Sequence, residues 1–350
     1  MHGLWRWGQL LVAALLAGTE LMAPGRLPTR AMTPPCAGPT QDATLLFTSR
    51  VPGEPGVTLF AATPSRARTP QALVHALPDD TAIAPSPRGR YIALAEGERG
   101  LWLVNSDGTG LHRLLPAPPP SPGPTGVPLV YAVAWSPDHY TLAYAVVQPI
   151  GYPRYAAPAQ GAPDGLWLVR YDRVSPHLLV TNAHLGIDAI GHLSFSADGH
   201  TLAAAADRGR SSDDLAIDVT TGRARALFAP DDNVADVRLS PVAARLAYLA
   251  TVFVPVAGQP NTSEADNGVY IADLHGQHRT MLTRTISSTA IQDPVWSPDG
   301  RSVAYLWGGP PNQVLNEIHA VDVATDRVRT LVGTVPRQQF MSLAWMHCRA

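Results

Sequence analysis

The sequence contains no lysine, although the chain is 350 residues long. All 26 basic residues are arginines, charged residues make up only 15% of the chain, and the formal net charge is −2. Such a chain lacks the basic patches that attract a polyanion, so we expect no nucleic-acid partner. The absence of lysine also excludes catalysis by a lysine nucleophile.

Short motifs of common catalytic sites are missing as well. The chain has no G-x-S-x-G, H-E-x-x-H, G-x-G-x-x-G, C-x-x-C or Walker motif. These absences disfavour a serine peptidase of the prolyl-oligopeptidase kind, a zinc peptidase and a nucleotide-binding enzyme. We therefore expect no catalytic residues, no metal site and no cofactor.

A long hydrophobic run is also absent. The apolar stretch near the N-terminus has 13 residues between Arg6 and Glu20, whereas a helix that spans a bilayer needs about 20. Residues 1–31 are therefore interpreted as a signal peptide or a short N-terminal hydrophobic segment, and residues 32–43 as a proline-rich linker. This predicts a secreted, periplasmic or cell-envelope protein without a stable membrane span. Tethering by an uncleaved N-terminal segment is the alternative.

What the sequence does contain is a repeat. "VWSPDGRSVAYLW" (295–307), "AWSPDHYTLAY" (134–144) and "SFSADGHTLAA" (194–204) have close sequences, and "RLSPVAARLAY" (238–248) and "APSPRGRYIAL" (84–94) are diverged copies. Their serines are 50, 60, 44 and 57 residues apart. This spacing is typical of one four-stranded propeller blade with a loop of variable length.

A second motif follows each copy of the first. It is a short apolar strand, a polar turn and another strand, as in "GLWLVNSDGTGLHRLL" from Gly100 and "GVYIADLHGQHRTML" from Gly268. Each such segment is typical of a β-hairpin. The repeating unit is therefore strand, SPDG turn, strand, loop, strand, turn and strand.

The residues of the SPDG turn have clear structural roles. Proline presets the first turn dihedral, aspartate accepts hydrogen bonds from nearby backbone N–H groups, and glycine takes a positive φ. We therefore interpret Asp138, Asp198 and Asp299 as residues that build turns rather than as metal ligands.

A sixth blade is predicted from the two ends of the chain. "FMSLAWMHC" (340–348) matches the strand before the turn, and "ATLLFTSR" (43–50) with the segment from Gly56 supplies the other three strands. Closure of this kind leaves no free sheet edge at the ring junction. We predict an all-β protein, a six-bladed β-propeller over 44–350 with four antiparallel strands per blade.

These motifs resemble the WD40-like repeats of TolB-type six-bladed β-propellers. The residues that carry the resemblance are the WSPDG…AY segments followed by segments such as "LWLVNSDGTGLHRLL", and they extend from about Thr44 to Cys348. The resemblance implies the propeller fold, and its motifs are specific for the fold rather than for a function.

Long connections are predicted on one face of the ring. They are residues 116–128, between two blades, and residues 148–165, 252–268 and 308–316, each between the second and third strands of a blade. Long loops on a rigid scaffold are frequent recognition sites. Tyr152, Arg154 and Tyr155 are of the types that anchor interfaces and are the candidate binding residues. The alternative is that these loops are tolerated insertions of low entropic cost.

A second candidate site lies in the central channel. The residues three positions before the tryptophan position of each inner strand are Ala82, Ala132, His192, Asp236, Asp293 and Ser342. His192, Asp236 and Asp293 fall on three consecutive blades and could position a hydrated cation or a polar ligand. The alternative is an ordinary polar, hydrated channel lining.

The only two cysteines flank the predicted ring. Cys36 precedes the first strand of the sixth blade, and Cys348 lies three residues after Trp345 on the strand that completes that blade. Because an exported chain can be oxidised, we predict a Cys36–Cys348 disulfide. Two unpaired thiols near mobile termini are the alternative.

The sequence thus favours a monomeric, non-catalytic, extracytoplasmic propeller that binds a protein or an envelope-associated ligand through its long-loop face. The alternative is a propeller hydrolase or lyase with carboxylates at the channel mouth.

Overall fold

The computed structural model of the chain describes residues 43–64, 69–117, 128–147, 163–208, 212–229, 232–255, 263–285, 289–309, 314–335 and 337–346. These residues form β-strands, connected by turns and by one short helix, α1 (Asn182–Leu185). The candidate loop residues Tyr152, Arg154 and Tyr155, both cysteines, and residues 1–42 lie outside the described ranges.

Five blades are each built from four consecutive antiparallel strands. The first blade contains β4 (Ala82–Pro85), β5 (Tyr91–Ala95), β6 (Leu101–Asn105) and β7 (His112–Leu115). The second contains β8 (Leu129–Trp135), β9 (Thr141–Val147), β10 (Gly165–Arg170) and β11 (His177–Thr181). The third contains β12 (Ala189–Phe195), β13 (Thr201–Asp207), β14 (Ser212–Asp218) and β15 (Ala224–Ala226). The fourth contains β16 (Val234–Leu239), β17 (Arg245–Pro255), β18 (Ser263–Asp273) and β19 (Thr280–Thr285). The fifth contains β20 (Ala290–Trp296), β21 (Ser302–Gly308), β22 (Glu317–Asp322) and β23 (Val328–Val332).

The closing blade combines the two ends of the described chain. Its strand order is β24-β1-β2-β3, with β24 (Gln339–Met346), β1 (Thr44–Arg50), β2 (Val57–Ala62) and β3 (Gln71–Leu77). β24 pairs antiparallel with β1, with Leu45 opposite Trp345. The structure confirms the predicted six-bladed ring, the strand count and the manner of closure.

The first strand of each blade lines the centre of the ring. These inner strands are β24, β4, β8, β12, β16 and β20, and each contacts the inner strands of both neighbouring blades. Second strands are rich in small residues, such as Ala203 to Ala206 on β13, all of them buried. Small side chains are needed there because blades converge towards the axis and leave little room between sheets.

The hydrophobic core is divided into clusters that lie between neighbouring blades. One cluster joins the fifth blade to the closing blade and contains Phe47, Phe340 and Leu306. Another joins the third blade to the fourth and contains Tyr248, which is 1% exposed. Because each sheet buries both of its faces, a blade is stabilised mainly by the two blades beside it.

Two faces of the ring follow from this strand order. We define the link face as the face of the ring that carries the links between blades and the connections between the second and third strands of each blade. The turn face carries the SPDG turns and the turns between third and fourth strands.

The SPDG turns form as the sequence predicts. In the fifth blade, Gly300 has φ 68° and its N–H donates to the carbonyl of Ser297 at 2.8 Å. Oδ1 of Asp299 accepts a hydrogen bond from the N–H of Arg301 at 3.1 Å. The serine adds a contact that the sequence reading did not assign, because its hydroxyl accepts the N–H of Ser302 at 2.9 Å.

One predicted loop is largely β-structure. The segment 252–268 was expected to be irregular, but β17 continues to Pro255 and β18 begins at Ser263, with Pro255 opposite Ser263. The reason is continuous pairing between β17 and β18, which residues 252–254 permit because valine and phenylalanine favour strands. Within the described ranges, no helix has the length and hydropathy of a membrane span.

Candidate functional site

The channel candidates from the sequence come together in the folded chain. His192 lies on β12, Asp236 on β16 and Asp293 on β20, which are the inner strands of the third, fourth and fifth blades. Nε2 of His192 lies 3.1 Å from Oδ1 of Asp236. The N–H of Asp293 donates to Oδ2 of Asp236 at 3.4 Å.

Bulges in the inner strands orient these side chains. The strand pairing shifts between Ile190 and His192, between Ala235 and Arg238, and between Gln292 and Val295. Asp236 and Asp293 lie in two of these bulges with φ of 56° and 53°. Aspartate tolerates the left-handed region better than most residues. Because a bulge changes the direction of a strand's side chains, both carboxylates can reach a neighbouring strand.

Arg238 joins these residues and is the member that sequence reasoning missed. Its Nη2 atom donates to Oδ1 of Asp293 at 2.6 Å and lies 2.7 Å from Nδ1 of His192. Only 10% of the arginine side chain and 8% of the Asp293 side chain are exposed. We call His192, Asp236, Arg238 and Asp293 the channel cluster.

The channel cluster also reaches the closing blade. Oδ2 of Asp293 accepts the backbone N–H of Leu343, on β24, at 2.5 Å. In addition, the indole N–H of Trp296 donates to the carbonyl of Arg238 at 2.9 Å. Four consecutive inner strands are therefore tied to one another by hydrogen bonds that involve the cluster.

The protonation state of His192 fits these contacts. Burial and the nearby Arg238 guanidinium lower the pKa of His192, and the two aspartates oppose this effect. A neutral imidazole accepts one hydrogen bond and donates one. With the proton on Nε2, Nδ1 of His192 accepts from Arg238, and Nε2 faces Oδ1 of Asp236 at 3.1 Å in a contact that does not satisfy that oxygen as a hydrogen-bond acceptor.

A second buried acid lies beside the cluster. Asp214, on β14 of the third blade, is 5% exposed. Burial, and then the nearby Asp236, raise the pKa of Asp214 to about 7. Within the part of the chain that the structure describes, Oδ1 of Asp214 is buried and accepts no hydrogen bond. Sequence reasoning missed this residue because Asp214 follows two other polar residues at a strand start, where acids are usually solvated.

The remaining channel positions carry no ionisable group. Ala82 and Ala132 have no polar side-chain atom, and Oγ of Ser342 lies 3.1 Å from Oγ1 of Thr48. Among the described residues, no group of three histidine, cysteine or carboxylate side chains is arranged to hold a metal ion. Within the described residues, Arg238 bonds to His192 and Asp293, whereas Oδ1 of Asp236 is buried and accepts no hydrogen bond.

Comparison with solved structures identifies similar folds. TolB from Acinetobacter baumannii aligns with a TM-score of 0.59 and 17% identity, covering 87% of this chain and 66% of that chain. A putative TolB from Agrobacterium tumefaciens aligns at 0.54 and 14%, covering 88% and 99%. A chain of a nidogen/laminin complex aligns at 0.58 and 11%, covering 88% and 100%.

The sequence itself matches no protein-family model and no curated protein. This chain spans less than two thirds of the Acinetobacter TolB chain. The structural likeness and the six blades show that the chain has the fold of a TolB-type β-propeller. At these identities the likeness shows the fold alone.

Proposed function

We propose that this chain is a non-catalytic, extracytoplasmic β-propeller that binds a protein or an envelope-associated ligand through its link face, and that it acts as a monomer. The observation that carries the proposal is the distribution of chain length between the two faces. Residues 116–128 connect β7 to β8, and residues 148–164 connect β9 to β10; both connections belong to the link face. Long connections on a rigid scaffold are where recognition residues concentrate.

The turn face offers a contrast. Its connections are short, and their polar groups form hydrogen bonds within the same turn. In the second blade, Oδ1 of Asp138 accepts hydrogen bonds from the N–H groups of Tyr140 and Thr141, both at 2.8 Å. In the third blade, Oδ1 of Asp218 accepts the N–H of Thr221 at 2.7 Å. A surface whose polar groups are already bonded has fewer free groups for a partner.

The channel cluster supports the non-catalytic part of the proposal. Asp293 uses both carboxylate oxygens within the protein. Oδ2 of Asp236 accepts the backbone N–H of Asp293, and its Oδ1 lies 3.1 Å from Nε2 of His192 without accepting a hydrogen bond from a described residue. A hydrolase or lyase with carboxylates at the channel mouth would need those groups free to contact its substrate. The cluster is better suited to hold blades together than to perform acid–base chemistry.

The proposed location rests on the N-terminal sequence. Residues 1–31 have the short apolar run and nearby arginine of a secretory signal. A TolB-type fold is compatible with an envelope protein, and the proposed partner is accordingly a component of that compartment.

Replacement of residues 148–164 by a short glycine-containing turn tests the proposal. The replacement should leave the melting temperature nearly unchanged, because strands β9 and β10 keep their pairing, and it should abolish capture of a partner from envelope extract. The matched control is Arg88→Ala, which changes an exposed residue of the turn face and should leave capture intact. Unfolding of the loop variant, or undiminished capture by it, would overturn the proposal.

A further inference from the structure

A cavity of about 520 Å³ lies on the link face where the fifth blade meets the closing blade. Its described lining comes from three places. Arg50 ends β1 and Pro52 follows it in the β1–β2 connection; Gly309, Val314 and Asn316 come from the β21–β22 connection. Arg337 and Gln338 come from the link into β24, and Gln339 begins that strand. Its volume falls within the range of small-ligand sites, about 300 to 1,000 Å³. It is remote in the blade order from residues 148–164, which belong to the second blade.

The described lining of the cavity includes two arginines, Arg50 and Arg337, and three side-chain amides, and it contains no acidic residue. The Arg50 guanidinium is paired with Asp79, at 2.7 Å between Nη2 and Oδ2. Within the described ranges, the Arg337 side chain makes no ion pair or hydrogen bond, and Arg337 is exposed. The cavity therefore contains an uncompensated guanidinium, whose planar fork of N–H donors matches a carboxylate.

The backbone at Arg337 has a conformation that favours glycine. Its φ is 61°, in the left-handed region that glycine adopts without steric cost. Folding alone would be served better by glycine at this position, since a side chain there costs conformational free energy. Replacement of Arg337 by glycine would therefore remove the guanidinium without a cost in backbone free energy.

The other residues that line the cavity can form hydrogen bonds and apolar contacts with a peptide. The amide groups of Asn316, Gln338 and Gln339 offer both donors and acceptors for peptide groups. Oε1 of Gln338 already accepts from the hydroxyl of Ser49 at 3.1 Å, which fixes that amide and leaves its N–H donors. Val314 is 38% exposed and supplies an apolar contact.

We propose that this cavity binds a carboxylate of a peptide ligand, with Arg337 as its principal charged contact and the amides of Asn316 and Gln339 bonding the peptide groups beside it. The proposal rests on the proposed function, because it assigns a ligand class to a part of the link face. The carboxylate can be a chain terminus or an acidic side chain, and the experiment separates these two sources.

The test is calorimetric titration of the full chain with three acetylated alanine tripeptides. One ends in a free carboxylate, one is amidated and carries a central glutamate, and one is amidated and neutral. We expect at least one charged peptide to bind ten-fold or more tightly than the neutral peptide, and the better of the two identifies the source. Equal affinity for all three, or equal affinity for inorganic phosphate, would overturn the proposal.

Variants of Arg337 provide a second test of the proposal. Arg337→Ala should weaken binding of the charged peptide ten-fold or more, Arg337→Lys should weaken it less, and Arg301→Ala on the turn face should have no effect. Arg337→Gly should lose binding while keeping or raising the melting temperature, a result that a merely structural arginine would not give. Unchanged binding in Arg337→Ala would contradict the assignment.

Failure of the peptide-binding proposal can be distinguished from failure of the proposed function. The variant that replaces residues 148–164 should still bind the charged peptide, since the cavity belongs to other blades. If peptide binding is absent but envelope capture persists and depends on residues 148–164, the cavity assignment alone is wrong.

Discussion

Nη2 of Arg238 lies 2.6 Å from Oδ1 of Asp293, and the two residues belong to inner strands of neighbouring blades. The same nitrogen lies 2.7 Å from Nδ1 of His192 on the inner strand of a third blade. One buried guanidinium thus bonds side chains of the two blades that flank its own. The arrangement assigns the channel cluster a structural role that can be measured.

Removal of this guanidinium should be costly. Arg238→Met leaves Asp293 as a buried carboxylate without its counter-charge, and we expect a loss of about 3 to 5 kcal/mol in the free energy of unfolding. The double variant Arg238→Met/Asp293→Asn should recover part of that loss, because the unpaired charge is gone. The matched control is Arg301→Met, whose side chain is 83% exposed, and urea unfolding measures all three. A loss as small as the control's would show that the pair is not a stabilising contact.

Asp214 should make stability depend on pH. Its pKa is raised from 3.8 to about 7, so between these values the folded chain holds a proton that the unfolded chain has released. The contribution of Asp214 to stability therefore falls as pH rises through this window and levels off above it. The lowered pKa of His192 gives a contribution of the opposite sign at the acidic end, so the Asp214 effect is the difference between the variant and the parent chain. Asp214→Asn should flatten the slope and raise the free energy of unfolding at pH 8 by about 1 to 4 kcal/mol.

Urea unfolding at several pH values from 5 to 8 measures this slope. Asp273→Asn is the control, because the pKa of Asp273 is lowered to about 2 by bonds from His278 and from backbone N–H groups. Asp273 stabilises the fold above its unfolded pKa and loses that effect only as pH falls below about 4. Its variant should therefore leave the slope between pH 5 and 8 unchanged. A slope that persists in Asp214→Asn would assign the titration to another group.

The fold was predictable because each repeat contains residues that favour one type of turn. The number of blades and the closure follow from the Pro-Asp-Gly turns, the alternating apolar strands and the match between the two chain ends. The extension of β17 to Pro255 was not predicted, because the polar residues after it are typical of a loop. Strand length in a hairpin depends on pairing with its partner, which composition alone does not show.

The site was only partly predictable. Counting back from the tryptophan position found His192, Asp236 and Asp293, but a bulge cannot be recognised from such counting. Arg238 was missed although the sequence contains a usable signal: the corresponding residues of other blades include Ala134, Val295 and Ala344, and a charged residue in that series is exceptional. The burial of Asp214 depends on packing between blades and has no counterpart in the local sequence.

The SPDG turns provide a prediction about backbone strain. Gly300→Val places a β-branched residue at φ 68° and should destabilise the fold by about 1 to 3 kcal/mol. A Cβ there would lie 2.4 Å from Cγ2 of Val242, but that side chain is exposed and can move. His139→Val should cost much less, because His139 already has φ 69° without being glycine. Equal losses in thermal unfolding at the two positions would contradict this account of the turn.

The disulfide between Cys36 and Cys348 stays a prediction, since both residues lie outside the described ranges. β24 ends at Met346 and pairs with β1, whose first residue is Thr44, so the two ends of the ring meet in one blade. A bond closing so long a loop would contribute up to about 5 kcal/mol. Thiol titration of the unfolded, unreduced protein should detect no free thiol. Two free thiols per chain would show that the disulfide does not form.

Site-specific photo-crosslinking tests the central claim, that the link face binds the partner. Two exposed residues of the first blade give a matched pair: Glu98 lies in the link-face connection between β5 and β6, and Arg88 in the turn between β4 and β5. A crosslinker is placed at each position in turn in the 350-residue chain, the chain is mixed with envelope extract, and adducts are identified by mass spectrometry. The account predicts a specific envelope adduct from position 98 and none from position 88. The same adduct from position 88 with none from position 98 would contradict it.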